Sequence, residues 1–120
     1  MIQSDSWRKE KLDLLTKQEE LFLLAVFRIG KDAYLVNIRE HLMEHTGKEW
    51  AFGSIYITLE KLRRKGLIAT HIGKPSSSQG GKAIKYYELT SAGIQTLREN
   101  KRLLDKMWKE FSDFSFDSKS

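Results

Sequence analysis

Residues 53–85 read as an amphipathic helix, GSIYITLEKLRRK, that passes through Gly66 into a two-stranded hairpin. Ile55, Leu59 and Leu62 recur at helical spacing, which defines an inward stripe and leaves Tyr56, Ile57, Glu60, Lys61 and Arg64 pointing outward. Ser54 is placed to cap the helix start, and Gly66 to close its end in the left-handed conformation. The strands, residues 67–73 and 83–89, are joined by KPSSSQGGK, a Gly/Ser/Pro stretch that cannot pack a core and predicts a long mobile tip.

This segment also holds the charge. Lys61, Arg63, Arg64, Lys65, Lys74, Lys82 and Lys85 stand against a single acid, Glu60, giving +6, while the rest of the chain sums to −1. The formal charge of +5 therefore sits on one helix and one hairpin, the footprint of a surface that meets a polyanion. Lys61 to Lys65 alone suit a solvated helix face equally well. The conjunction of helix, tight turn and basic hairpin is what points to double-stranded DNA.

The remaining elements build a frame around that helix. Thr16-Lys17-Gln18-Glu19 forms a capping box, and Leu21, Leu24, Ala25 and Phe27 or Arg28 recur along the following, almost wholly apolar stretch up to Gly30, which predicts a central core helix. Residues 34–45 place Leu35, Ile38 and Leu42 on one side of a second helix that stops at Thr46-Gly47, and residues 49–52 read as an extended bridge. Residues 4–15, with Trp7, Leu12 and Leu15, suit a short N-terminal helix. Thr90-Ser91 caps a last helix over residues 91–114, striped by Ile94, Leu97, Leu104, Trp108 and Phe111. Such a stripe exceeds what a chain this small covers alone, so Leu97, Leu104, Trp108 and Phe111, with Trp7, Leu12 and Leu15, are expected at a homodimer interface.

The expected fold is mainly α with a small β-hairpin (α+β), a winged helix-turn-helix with N-terminal and C-terminal dimerisation helices. Residues 1–120 make one domain, with the DNA-binding core at 16–90. In a helix-turn-helix the outer face near the recognition-helix start enters the ~12 Å major groove. Ser54, Tyr56, Ile57, Lys61 and Arg64 meet that description, and Lys74, Lys82 and Lys85 flank a wing that follows the backbone or the minor groove.

Other chemistries find little support. The chain has no cysteine, which excludes disulfides, thiolate metal sites and cysteine nucleophiles. Its longest apolar runs fall far short of the ~20 residues of a membrane span, and no signal pattern opens it, so a cytoplasmic protein without membrane contact is expected. His41-Leu42-Met43-Glu44-His45 matches the H-x-x-E-H pattern of inverted zinc proteases, but that helix needs Ile38 and Leu42 inward, which draws His45 to the packed side. No P-loop or nucleophile elbow is present. No catalytic residue, metal or cofactor is expected.

Three blocks in order, LTKQEELFLLAVFRIGKDAYLVNIREHL, TGKEWAFGSIYITLEKLRRKGLI and GGKAIKYYELTSAG, resemble the PadR-type winged-helix transcriptional regulators. The resemblance spans residues 15 to about 111. It implies a homodimeric DNA-binding repressor whose C-terminal helix dimerises, with Tyr34, Ser54, Tyr56, Ile57, Lys82 and Lys85 as DNA contacts carried over by position. It also implies that some members bind flat aromatic or cationic small molecules at the dimer interface, where Trp7 and Trp108 offer stacking faces for such an effector, ordinary aromatic packing being the alternative. The family commonly has Gly after the tyrosine of the second helix and Pro after that of the third; here Leu35 and Ile57 stand there. The alternative function is a winged-helix protein-interaction module without specific DNA binding.

Overall fold

A computed structural model describes residues 13–73 and 83–114. These form four α-helices and an antiparallel pair of strands: α1 (Lys17–Ile29), a 3-10 turn (Gly30–Asp32), α2 (Leu35–Thr46), α3 (Phe52–Arg64), β1 (Ile68–Gly73), β2 (Ile84–Leu89) and α4 (Ser91–Asp113). This is the expected α+β winged helix. The proposed N-terminal helix, with Trp7 and Leu12, and the wing residues Lys74 and Lys82 lie outside the described residues. Asp13, Leu14 and Leu15 are described and are not helical.

The capping box opens α1 as the sequence indicates: the Glu19 amide donates to Thr16 Oγ1 and the Thr16 amide donates to Glu19 Oε1, both at 3.0 Å. Its buried face differs from the expected one. Phe22, Leu23, Ala25 and Val26 are buried, whereas Leu24 is exposed and Phe27 is 65% exposed. In a nearly all-apolar helix the spacing does not choose a face; contact with α2, α3 and β2 does.

After Gly30, with φ +81°, the chain reaches Tyr34, which precedes α2 as its N-cap residue rather than beginning it. The Tyr87 amide donates to the Ala33 carbonyl at 2.8 Å, and Tyr34 forms an isolated antiparallel bridge with Tyr86. The strand pair, in register from Ile68 opposite Leu89 to Gly73 opposite Ile84, is thereby extended by one bridge towards the start of α2. That bridge places Tyr34 beside the wing.

The connection from α2 to α3 is held by Trp50. Its ring is buried edge-on against Phe22, with centroids 5.4 Å apart, and its indole N–H donates to Thr46 Oγ1 at 3.1 Å. Arg39 Nε donates to the Trp50 carbonyl at 2.6 Å, and the guanidinium lies 4.5 Å from the Phe52 ring centroid. With the chain fixed there, α3 starts at Phe52 with Ala51 as its N-cap, so Phe52 is helical rather than extended and Ser54 lies within the first turn rather than capping it. Ile55, Leu59 and Leu62 are fully buried, as the stripe requires.

Gly66, with φ +80°, ends α3 as expected: its amide donates to the Arg63 carbonyl at 2.9 Å, and the Leu67 amide donates to the Leu62 carbonyl at 3.0 Å. These two bonds are the Schellman pattern, in which a left-handed residue lets the chain satisfy the last helical carbonyls. The chain then turns at once into β1.

The last helix, α4, is capped by Thr90, whose Oγ1 accepts from the Gly93 amide at 3.0 Å. Asn100 is buried yet satisfied. Its Oδ1 accepts from the Leu15 amide at 3.0 Å, and its Nδ2 donates to the carbonyls of Asp13 at 3.0 Å and Thr96 at 2.9 Å. Leu15 packs on the core, so residues 13–15 are held against α4 of their own chain.

Candidate nucleic-acid interface

The helix α3 is tied on both flanks and open between them. On one flank Gln18 Nε2 donates to Thr58 Oγ1 at 3.3 Å, and Glu19 Oε2 meets Lys65 Nζ at 2.9 Å and Lys61 Nζ at 3.6 Å. On the other, Glu60 faces Lys85 of β2 at 3.6 Å, and the Lys85 ammonium lies 5.4 Å from the Tyr56 ring centroid. Ile57 and Arg64, seven apart, lie between the two flanks, with Ile57 66% exposed, while Ser54 is exposed in the first turn on the side of Thr58 and Lys61. Arg64 has no ion-pair partner among the described residues.

Glu19 is the buried anchor of this arrangement. Burial by itself raises its carboxyl pKa, but the Thr16 amide, the Lys65 hydrogen bond and the charges of Lys65 and Lys61 outweigh it and hold the group below its ordinary 4.5. The stabilisation it supplies is therefore present above about pH 4.5 and is lost as pH falls through the lowered folded value. Glu19→Ala is expected to cost about 2 kcal/mol at neutral pH, as for a hydrogen-bonded charged group. In urea titrations from pH 7 to 3 it should also flatten the acid loss of stability; an unchanged acid limb would contradict this role.

Glu60, expected on the outside, is largely buried because β2 folds over that flank. Its Oε1 accepts from Arg63 Nε at 3.0 Å. Burial raises its pKa, and Arg63 and Lys85 together bring it below the ordinary carboxylate value. Behind it Tyr87 is buried, and desolvation, with the Glu60 charge next, pushes its hydroxyl up to about 12.

Tyr34, Tyr56 and Lys85, three of the sequence candidates, come together around one groove of about 300 Å³, whose wall also includes Val36 and Ile84. Tyr34 meets Tyr86 edge-on at 5.7 Å, and Tyr86 stacks on His71 at 5.4 Å. Val36, exposed in the first turn of α2, was missed by the sequence reading; only its place next to the Tyr34 bridge draws attention to it. Neither α2 nor α3 has a side-chain N-cap, in contrast to α1 and α4. First-turn amides without a capping side chain are open to an anion.

The expected dimer residues are divided between two places. Leu15 and Leu97 pack on the domain's own core and Leu104 is half-buried, while Trp108 and Phe111 are exposed and meet edge-on at 5.1 Å. Leu97 also lines an apolar groove of about 480 Å³, together with Leu24, Phe27 and Ile94.

The H-x-x-E-H motif forms no recognisable zinc centre. His41 Nε2 accepts from Arg28 Nε at 3.2 Å, and His45 is exposed rather than packed inward, its Nδ1 donating to the His41 carbonyl at 3.0 Å. Burial, with the charges of His45 and Arg28, lowers the His41 pKa. Among the described residues no three His, Asp or Glu side chains group to hold a metal ion. Nor is any described helix long and apolar enough to cross a membrane.

The model of the Transcriptional regulator PadR-like family matches residues 23–99. The fold is similar to that of a PadR-like transcriptional regulator from Bacillus cereus strain ATCC 14579, 25% identical over 80% of this chain and 84% of that one, with a TM-score of 0.62. A PadR family transcriptional regulator from Eggerthella lenta DSM 2243 is 23% identical over 80% of this chain and 81% of that one, at 0.62. A Streptococcus transcriptional regulator is 22% identical over 82% and 97%, at 0.63. No curated protein matches the chain in sequence.

Proposed function

The chain belongs to the PadR-like family and is a DNA-binding transcription regulator; from that premise we propose that it is a homodimeric repressor, without enzymatic activity, that reads a palindromic operator through α3 and positions itself through the wing. The observation that carries this reading is the open strip of Ile57 and Arg64, with Ser54 at its edge, beside the Tyr34–Tyr56–Lys85 groove. The short polar and apolar groups of that strip suit base edges and thymine methyls. The uncapped starts of α2 and α3 suit phosphates on either side.

Lys61 adds positive charge at the edge of the strip while paired with Glu19, and Lys74 and Lys82 are assigned to the wing from the sequence alone. Reading successive major grooves requires two copies of α3 about 34 Å apart, one turn of duplex, related by a twofold axis that we place at the apolar surfaces of α4 and α1. Leu24, Phe27, Ile94, Trp108 and Phe111 supply the exposed apolar surface for that contact.

Fluorescence anisotropy on the DNA upstream of the protein's own gene and on a shuffled duplex, over a salt series, tests the reading. Tighter binding to the first with a steep salt slope is expected, because DNA releases condensed counterions. Salt-insensitive, equal binding to both would favour a protein-interaction module instead. Ile57→Ala is expected to cost about 1–3 kcal/mol on the specific site and little on the shuffled one. Equal losses on both would show that Ile57 does not read bases.

A further inference from the structure

A carboxylate on a face that meets phosphate is unfavourable unless it holds something in place. Glu60 is the one acid within residues 53–85, and it stands where the recognition helix meets the wing. Its side chain is 13% exposed. Oε1 takes the Arg63 hydrogen bond at 3.0 Å, while Oε2 is buried without a hydrogen bond among the described residues and has Lys85 Nζ at 3.6 Å. The same ammonium lies over the Tyr56 ring. Two cations from two elements thus share one carboxylate.

We propose that Glu60 is a positioning residue that withholds Lys85 and Arg63 from the phosphate backbone, so that affinity for DNA of any sequence stays low while the wing is fixed against the recognition helix. The inference rests on the DNA-binding face described above. Sequence-independent affinity comes almost wholly from cations that neutralise phosphates, each adding about 0.9 to the salt slope. For Lys85 to leave Glu60 it must abandon a carboxylate oxygen that is buried and has no hydrogen bond among the described residues, which leaves that oxygen without a counter-charge. Arg64, which has no ion-pair partner among the described residues, carries no such restraint. Glu19 also holds two cations, but it belongs to the capping box of α1 and cannot be exchanged without disturbing the helix start. Glu60 takes part in no cap, so an amide of the same shape can replace it.

The test is anisotropy on a short random-sequence duplex over a salt series, with wild type, Glu60→Gln, Lys85→Met and the double variant. Arg64→Gln serves as the reference. Glu60→Gln is expected to bind about tenfold more tightly at low salt, with a slope steeper by about 1–2, the contribution of one or two freed cations. Lys85→Met should flatten the slope less in wild type than in the Glu60→Gln background, where it removes about half the gain. Glu60→Asp keeps the charge but shortens the reach by one methylene; it should also steepen the slope, and it stands in if the glutamine variant folds poorly.

An equal effect of Lys85→Met in both backgrounds would overturn the inference, since simple removal of a negative charge predicts additivity. So would an unchanged slope in Glu60→Gln and Glu60→Asp. Either result, alongside steep wild-type binding that Arg64→Gln flattens by about 1, would leave the DNA-binding face intact. Salt-insensitive binding by every variant would remove that face and the inference with it.

Discussion

Phe111→Glu is expected to give a folded monomer whose operator affinity is lower by about 10²–10⁴-fold, the avidity lost when two linked contacts become one. Phe111 is 62% exposed in the subunit, as are its neighbours Met107, Trp108 and Phe114 to similar degrees. Apolar groups exposed along the outer part of a helix are the surface that the proposed second copy would cover. The complementary feature lies at the other end of α4, where Leu24, Phe27, Ile94 and Leu97 line the groove of about 480 Å³. In the proposed dimer each copy's distal patch is covered by the other copy, and a carboxylate introduced there is desolvated without a partner. Because Phe111 contributes no buried core contact in the subunit, circular dichroism should be unchanged up to the melting transition. Sedimentation equilibrium should show the monomer, and anisotropy the loss of affinity. A variant that remains dimeric and binds the operator like wild type would remove the distal α4 from the interface.

Gly93→Ala is expected to destabilise the domain by about 3 kcal/mol, at the upper end of the usual overpacking cost. A Cβ on Gly93 would lie 2.1 Å from the Leu67 carbonyl oxygen and 3.1 Å from the Leu67 carbonyl carbon. Neither atom can rotate away, because both belong to backbone that is fixed by the Gly66 turn. The Leu67 oxygen accepts from the Thr90 amide at 3.1 Å, and Thr90 Oγ1 donates to the Gly66 carbonyl at 2.6 Å. To admit one methyl group, α4 must withdraw from the turn that joins the recognition helix to the wing. Urea unfolding measures the loss. Gly53→Ala, in the first turn of α3 where a Cβ meets nothing within 4 Å, is the control and should be neutral or stabilising by no more than the about 0.5–1 kcal/mol of a mid-helix glycine. A Gly93→Ala stability within about 0.5 kcal/mol of wild type, the scatter of ordinary surface substitutions, would mean that the contact relaxes freely.

The order of elements from α1 to α4, the capping box at Thr16, the left-handed stop at Gly66 and the inward stripe of Ile55, Leu59 and Leu62 were legible in the sequence because each is a local property. Cap chemistry acts over three or four residues, and helical periodicity shows wherever polar residues separate apolar ones. The PadR-type resemblance was legible for the same reason, being carried by short blocks in fixed order. In α1, where almost every residue is apolar, periodicity is degenerate, and the neighbouring elements chose Phe22 and Val26 over Leu24 and Phe27 for the core. Likewise Ser54 has cap chemistry, but the buried Trp50 and its Arg39 bond start the helix at Phe52.

The candidate site divides along the same line. The sequence by itself determined that a basic helix and hairpin adjoin, and named Tyr34, Tyr56, Ile57 and Lys85. Only the tertiary structure decided that Glu19 takes Lys61 and Lys65, that Glu60 takes Lys85 and Arg63, and that Gly93 must be bare where it touches Leu67. A formal charge counts every cation equally, whereas a carboxylate within 4 Å decides which of them are already engaged. Apart from the local Glu60–Arg63 pair, these contacts join residues more than twenty positions apart, and one chain read by itself carries no record of which distant groups the packing brings into reach.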